Sequence, residues 1–546
     1  MTHSTFTRRT VRTVKAQDAF NTLKPDNWAA ASLQERLAIL KQVQANMMHF
    51  AGELAAADGQ MKNGLVGEDV YTEGLNVNGT AGLVGGAVAA TIDLYQSIIK
   101  GKPMTAKQIT PLGDGSYDLE VFPQTAKDRV TAGRQRGHLR VKGEPKQRNP
   151  LETPAGVIAV LGAGNYSASI ETVKALFWDN KAVIHKPHRL NVGSDAVWQK
   201  VFAPLVELGA LAFCDADDGP ALTQLHGLTA IYFTGSTNSA KAIMAATSTP
   251  LVAECGGNNP CIVVPGGRPW TDKEITHQAV QFVTLAKLNG GAVCGRAQTL
   301  VTSKHWPQRE QFLDAVRKAF TEDTPAISSY YPGSAGIAER FASEYPDAEV
   351  VQSEKGAHTA SDGLLITGAA PDSFAAKNEA FCQVIAEIPL DVPAEADTFL
   401  PEAVRYCNET LLGSLACMIV IDEDTRKARQ PALDAAVTDL KYGAVAVNTI
   451  PALIFANPYL IWGGNEEDQD FVSGRGNFGN LLCYENVEKA VMYDQFVSMT
   501  HFLYTKKEPF DDLMAASARF MMRPTWTNLA RMTGSAVRAS LARKDF

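Results

Sequence analysis

Two short stretches hold residue types able to make and break bonds at a carbonyl carbon. NGGAVCGRAQ (289–298) places Cys294 among small residues, five positions after Asn289. A thiolate there could add to a carbonyl and split one hard step into two easier ones. LVAECGGNNPCIVV (251–264) sets Glu254 against Gly256 and Gly257, leaving a carboxylate base room for a substrate and a water. Each stretch also has a plain reading. Most intracellular cysteines simply pack, and a glutamate before two glycines suits a surface turn.

Strands and turns must hold these residues in place. From residue 154 the β-branched runs GVIAVLG, AVIHKP, AIYFTGS and NPCIVV alternate with helical stretches. That alternation signals βαβ units and a parallel sheet. QTLVTS, CQVIAEIPL, LACMIVID and AVAVNT repeat it after Cys294. The reading is an α/β protein with two parallel-sheet domains, Glu254 and Cys294 lying near their junction. Upstream, SLQERLAILKQVQANMMHFAGELAAA spaces its apolar residues as helices do. The basic, Gly- and Pro-broken RQRGHLRVKGEPKQRNPLE (134–152) reads as an exposed hairpin or linker. After CYENVEKAVMY the chain continues as a Met- and Arg-rich helical tail.

Composition narrows the class. The 546 residues are too many for one core, and 45% hydrophobic with 20% charged content is globular. A net charge of −8 carries no electrostatic footprint for nucleic acid. The first twenty residues lack the apolar core of a secretory signal. No run approaches the ~18 apolar residues of a membrane span. Eight cysteines are scattered without a CxxC pair, so neither a disulfide framework nor a metal site is expected. A cytoplasmic location follows as the expectation.

Three further loops are individually weak. VLGAGNYSAS (160–169) turns from strand to helix with only part of a dinucleotide fingerprint. IYFTGSTNSAKAI (231–243) ends a strand at Gly235 and Ser236 and opens a helix whose free amides could bind phosphate. VIHKPHR (183–189) ends a strand in Lys186, a lysine able to reach a ribose or simply to face water.

Their order is what carries weight. FTGSTNSA, ECGGNNP and the N-x-G-x-x-C of 289–294 resemble the FTGS, ELGGKNP and NxGQxC blocks of the aldehyde dehydrogenase superfamily, in that family's order. NEAFCQV (378–384) looks like its ExFGPV block, and GAVAVNT, WGGN…SGRG and CYENVEKAV look like its closing motifs. The resemblance spans roughly residues 30–495 and implies two Rossmann-like domains and a small β oligomerisation element, to which the chain adds a helical C-terminal tail beyond the family's usual end. By its boundaries, residues 1–133 and 153–254 form the dinucleotide-binding domain and 255–460 the catalytic one. Residues 134–152 and 478–496 supply oligomerisation strands, and 497–546 form the tail.

The resemblance implies roles residue by residue. Cys294 matches the nucleophile and Glu254 the base that activates water. Asn165 matches the oxyanion donor, and Lys174 a lysine associated with proton relay. Lys186 matches the ribose lysine, Gly235 and Ser236 the pyrophosphate turn, and Glu379 and Phe381 the residues that hold and flank the nicotinamide ribose. Arg189 stands where NAD-preferring members carry a carboxylate. A guanidinium can grip a 2′-phosphate in bidentate fashion, so NADP is the preferred expectation, with NAD accepted. Departures gather near the substrate tunnel: Ala163, Gly164 and Ser167 replace Pro, Trp and Pro, and Ala292 replaces Gln.

The implied activity is oxidation of a small-molecule aldehyde to the carboxylate with NAD(P)+. Release of the acyl group to coenzyme A, or a catalytically idle oligomeric scaffold, are the alternatives. Glu254 counts against the first, and Glu254 with Cys294 against the second. HLRVKG (138–143) and NLLCYENVEKAV (480–491) resemble strands that pair between subunits, so a homodimer or homotetramer is expected. The tail is expected to dock on the protein's own acidic surface.

Overall fold

A computed structural model of the chain describes residues 14–167, 169–352, 363–467, 470–498 and 507–541. Two sheets organise it. The first has five parallel strands in spatial order Leu251–Glu254, Leu228–Thr234, Val157–Leu161, Ala182–Lys186 and Leu211–Phe213, with Gly474–Arg475 antiparallel at one edge. Val157–Leu161 is buried at every position, as a strand covered on both faces must be. The 34-residue helix Leu33–Val66 lies against helix Val192–Val201 on this domain. Its start is fixed by a capping box in which Ser32 and Glu35 satisfy each other's backbone amides.

The second sheet has eleven strands. Six are parallel neighbours: Ala444–Val447, Ala416–Val420, Asn259–Val263, Ala297–Ser303, Val384–Leu390 and Gly363–Ile366. The chain crosses from the first sheet to the second over residues 255–258, between Glu254 and Asn259. Glu254 and Cys294 therefore sit where the two domains meet.

Four strands extend the second sheet within the same chain. Val487–Tyr493 adds in parallel to Ala444–Val447, and Arg136–Lys142, Ser116–Phe122 and Gln108–Pro111 follow antiparallel. This corrects two expectations. Residues 134–152 are not an exposed hairpin: Arg136–Lys142 is an interior strand, with Leu139 and Val141 fully buried. Its basic residues looked like linker because their partners lie on another strand. Asp118 faces both His138 Nδ1 (2.8 Å) and Arg140 Nε (3.1 Å). Nor are 138–143 and 480–491 unpaired edges awaiting a second subunit, since Val487–Tyr493 and Arg136–Lys142 pair with each other. The open edge is Gln108–Pro111, exposed throughout, so this β element begins inside the region assigned by sequence to the dinucleotide domain.

The tail forms two helices: Lys507–Met522 docks on Glu73–Val77 and Leu83–Ile99, and Trp526–Leu541 packs on Lys507–Met522. Docking uses an apolar, glycine-lined face rather than the acidic surface expected. Phe510, Leu513 and Met514 pack with Leu75 and Ala539. A side chain on Gly74 would overlap the backbone of Asp511, and one on Gly85 would come within 2.5 Å of Met522 Cγ. Residues 73–99 are also longer and more apolar than the sequence reading allowed, enough by composition to cross a bilayer, although over half of the window is buried in the fold.

Two neighbouring glycines test this docking. Gly85→Ala is expected to destabilise by about 1–3 kcal/mol through overpacking. Gly86→Ala, which meets only ordinary contact with Met521 at 3.5 Å, should be neutral or stabilise by about 0.5–1 kcal/mol. Thermal unfolding of both variants, with hydrogen exchange across residues 507–522, checks the contrast.

Candidate active site

The nucleophile loop is built by three consecutive left-handed residues. Asn289, Gly290 and Gly291 have φ of 52°, 67° and 82° after helix Asp272–Lys287 ends. Only glycine fits at 290 and 291, since an added carbon would come within 2.5 Å of the Ser328 carbonyl in one case and of the Cys382 backbone in the other. Asn259 then ties the loop to the sheet. Its Nδ2 donates to the carbonyls of Cys294 (2.7 Å) and Arg296 (2.9 Å), while its Oδ1 accepts from the Ala416 amide (3.1 Å). Cys294 emerges as the one partly exposed cysteine of eight.

Glu254 ends its strand facing this thiol. Its Oε1 accepts from the Trp462 indole (3.2 Å), and the Cys294 thiol donates to the same carboxyl. Burial pushes the Glu254 carboxyl up to about 8, with the two hydrogen bonds pulling the other way. Burial, then the neighbouring Glu254 charge, holds the Cys294 thiol well above its ordinary value. At rest the thiol is therefore neutral and needs a base, and Glu254 is in hydrogen-bond contact with it. Asn165 joins the same loop, its Nδ2 donating to the Ala292 carbonyl (3.0 Å) beside Asn289 Nδ2 (3.2 Å). An amide has a second N–H, which leaves one donor for an oxyanion.

Comparison with known proteins points to one family. The profile of the aldehyde dehydrogenase family matches residues 102–328. The 3,6-anhydro-alpha-L-galactose dehydrogenase of Streptomyces coelicolor is 28% identical over 357 residues, covering 59% of this chain and 64% of that protein. The chain thus aligns with under two-thirds of that relative. An NADP-dependent glyceraldehyde-3-phosphate dehydrogenase from Bacillus halodurans, solved with NADP, superposes with a TM-score of 0.60 at 16% identity. It covers 87% of this chain and 90% of its own. An indole-3-acetaldehyde dehydrogenase solved with NAD+ gives 0.61 at 16%, covering 87% and 88%. The family profile, the curated relatives and the solved structures all point to the aldehyde dehydrogenase superfamily.

Within an aldehyde dehydrogenase fold, Lys186, Gly235 and Ser236 lie at the C-terminal ends of parallel strands, while Glu379 and Phe381 lie in the loop before strand Val384–Leu390. Lys186 ends its strand with Nζ donating to the carbonyls of Pro187 (2.9 Å) and Ala216 (3.2 Å). Gly235 and Ser236 follow the next strand but one, and Ser236 Oγ caps helix Thr237–Ala246 by accepting from Ser239 N–H (3.2 Å). Glu379 lies against Gly256, where any side chain would overlap its carboxylate, and it accepts from the Gly257 amide. Burial raises this carboxyl to about 7. Phe381 stands edge-on to Tyr331 at 5.0 Å. An amine, helix-end amides and a half-buried carboxylate suit the charges and hydroxyls of a nicotinamide dinucleotide, so the residues fit that group.

Two assigned residues are engaged differently from expectation. Lys174 does not turn to the nucleophile: its Nζ bonds Asp179 (2.7 Å) and the Tyr232 hydroxyl (3.4 Å), on the wall of a cavity of about 320 Å³ shared with Arg148 and Asn480. Arg189 is largely exposed and already paired with Asp217 across the lysine's loop. Sequence reasoning missed Asn259, although it sits inside the quoted ECGGNNP block, and Trp462, whose WGG motif was noted without a role. It also missed Tyr331. A side chain on Gly164 would come within 2.7 Å of the Tyr331 hydroxyl, so this tyrosine fills space that the family's usual tryptophan would claim.

Proposed function

We propose that this chain oxidises an aldehyde to its carboxylate with a nicotinamide dinucleotide. The observation that carries the reading is the Cys294 thiol donating to the buried Glu254 carboxyl beside the Asn165 amide. Glu254 takes the thiol proton as sulfur bonds the aldehyde carbon, giving a tetrahedral oxyanion. Asn165 and the Cys294 backbone N–H hold that oxygen, a donor being worth roughly 3 kcal/mol. When bound, the nicotinamide supplies the hydride acceptor. Lys186, Gly235, Ser236, Glu379 and Phe381 would hold the dinucleotide. Cys294 then keeps the acyl group as a thioester; Glu254 releases the thiol proton to solvent and, again a carboxylate, draws a proton from the water that hydrolyses the thioester. Incubation with a panel of aldehydes and either dinucleotide, following the absorbance of reduced cofactor, tests the reading. No turnover across the panel would overturn it.

For the cofactor, NADP is preferred in this reading and NAD accepted. The Arg189–Asp217 pair is exposed and screened, so a 2′-phosphate can displace Asp217 and take the guanidinium. Arg189→Glu is expected to lower kcat/KM for NADP at least about tenfold relative to NAD. Asp217→Asn should move the ratio the other way. Steady-state kinetics with both dinucleotides decides, and an unchanged ratio in both variants removes Arg189 from phosphate recognition.

A further inference from the structure

A second carboxyl lies behind the base. Glu171, buried on helix Ser169–Phe177, has its Oε2 accepting from the Tyr166 hydroxyl (2.9 Å) and its Oε1 from the Thr234 hydroxyl (3.2 Å). Tyr166 Oη in turn accepts from the Ile170 amide (2.7 Å). Thr234 is paired in register with Glu254 on the neighbouring parallel strand. Side chains in register leave the same face of a sheet, about 4.8 Å apart, so Thr234, which bonds Glu171, is also the side chain next to Glu254 on that face.

An aromatic wall closes the other side. Tyr166 packs edge-on against Phe455 (5.6 Å), and Phe455 against Trp462 (5.6 Å), the indole that donates to Glu254. Glu171 is held by hydroxyls rather than by a cation, a costly way to bury a carboxyl without a task for it. Lys174, the lysine the resemblance implied for proton relay, has its amine on Asp179 and Tyr232 instead.

We propose that Glu171 is a positioning residue that acts through Glu254, taking through Thr234 the proton released in thioester hydrolysis. The inference rests on the oxidation proposed above. The water oxygen bonds the acyl carbon and gives one proton to Glu254. The carbon–sulfur bond breaks, and its electron pair stays on Cys294. Protonated Glu254 donates to the Thr234 hydroxyl, whose own proton passes to Glu171, so one proton moves and nothing is oxidised or reduced. Glu171 holds it until the acid product leaves and water re-enters the cleft. The titratable groups facing the two carboxyls are Tyr166, His185, Cys294 and Glu379.

The test compares Glu171→Gln and Thr234→Val with the wild type in stopped-flow turnover. Both variants should keep a first burst of one reduced cofactor per site and lose about tenfold or more of the steady-state rate. In Glu171→Gln the acidic limb of the steady-state pH profile should also move to lower pH, because Glu254 loses an anionic neighbour that raises its pKa. A merely structural defect would lower burst and steady state together and leave the limb in place. A wild-type steady state in Thr234→Val overturns the relay, whatever happens to Glu171→Gln. Should no aldehyde be oxidised by the wild type, iodoacetamide alkylation of Cys294 against pH still reads the coupling. Its midpoint should fall in Glu171→Gln, and an unmoved midpoint overturns the proposal separately from the oxidation reading.

Discussion

Cys294→Ala is expected to lower aldehyde oxidation by at least about 10⁴-fold, because no other group can carry the acyl chain. The surrounding loop should survive the change. Its shape is set by the left-handed Asn289, Gly290 and Gly291 and by Asn259 bonds to the backbone carbonyls of Cys294 and Arg296, none of which involves sulfur. Dinucleotide affinity should stay close to wild type, since Lys186 ends a strand of the other sheet and Ser236 caps a helix that follows one. Titration of cofactor fluorescence alongside turnover separates the two effects. Residual oxidation near the wild-type rate would remove Cys294 from the reaction. Cys255, buried beside Glu254, is the control: its thiol is pushed far up by burial, and Cys255→Ser should remain active.

Glu254→Gln should show a different signature, with a burst of reduced cofactor and then a steady state slower by about 10²–10⁴-fold, the usual worth of a general base. The structure adds a pH dependence to the burst. With the thiol held well above its ordinary value and its hydrogen-bond acceptor now neutral, acylation should slow at neutral pH and recover in alkali as the thiol ionises unaided. In the wild type, the carboxylate form of Glu254 grows as pH rises through about 8, so the steady-state rate should climb through that range. The amide should abolish that limb. Stopped-flow absorbance from pH 6 to 10 reads both phases, and an unchanged steady state in the variant would exclude Glu254 as the hydrolytic base.

Cys294, Glu254 and Asn165 were legible in the chain because each belongs to a tight loop whose neighbours are dictated locally. The glycines before Cys294 are needed for backbone angles other residues resist, and Gly256 for the close approach of Glu379. The alternation of β-branched runs with helices likewise revealed two parallel-sheet domains, since burial on both faces leaves continuous apolar runs. Side-chain direction and long-range partners have no such local trace. Nothing near Lys174 announces that its amine turns to Asp179, and nothing near Arg140 announces Asp118 on the neighbouring strand. Trp462 reaches Glu254 across 208 positions, and sheet register sets Thr234 beside Glu254 while helix packing brings Glu171 to its hydroxyl. The glycines of 74–86 carry no local sign of the tail helix that packs against them. Backbone conformation is paid in local sequence, whereas the partner of a buried charge is whichever residue the fold carries into reach.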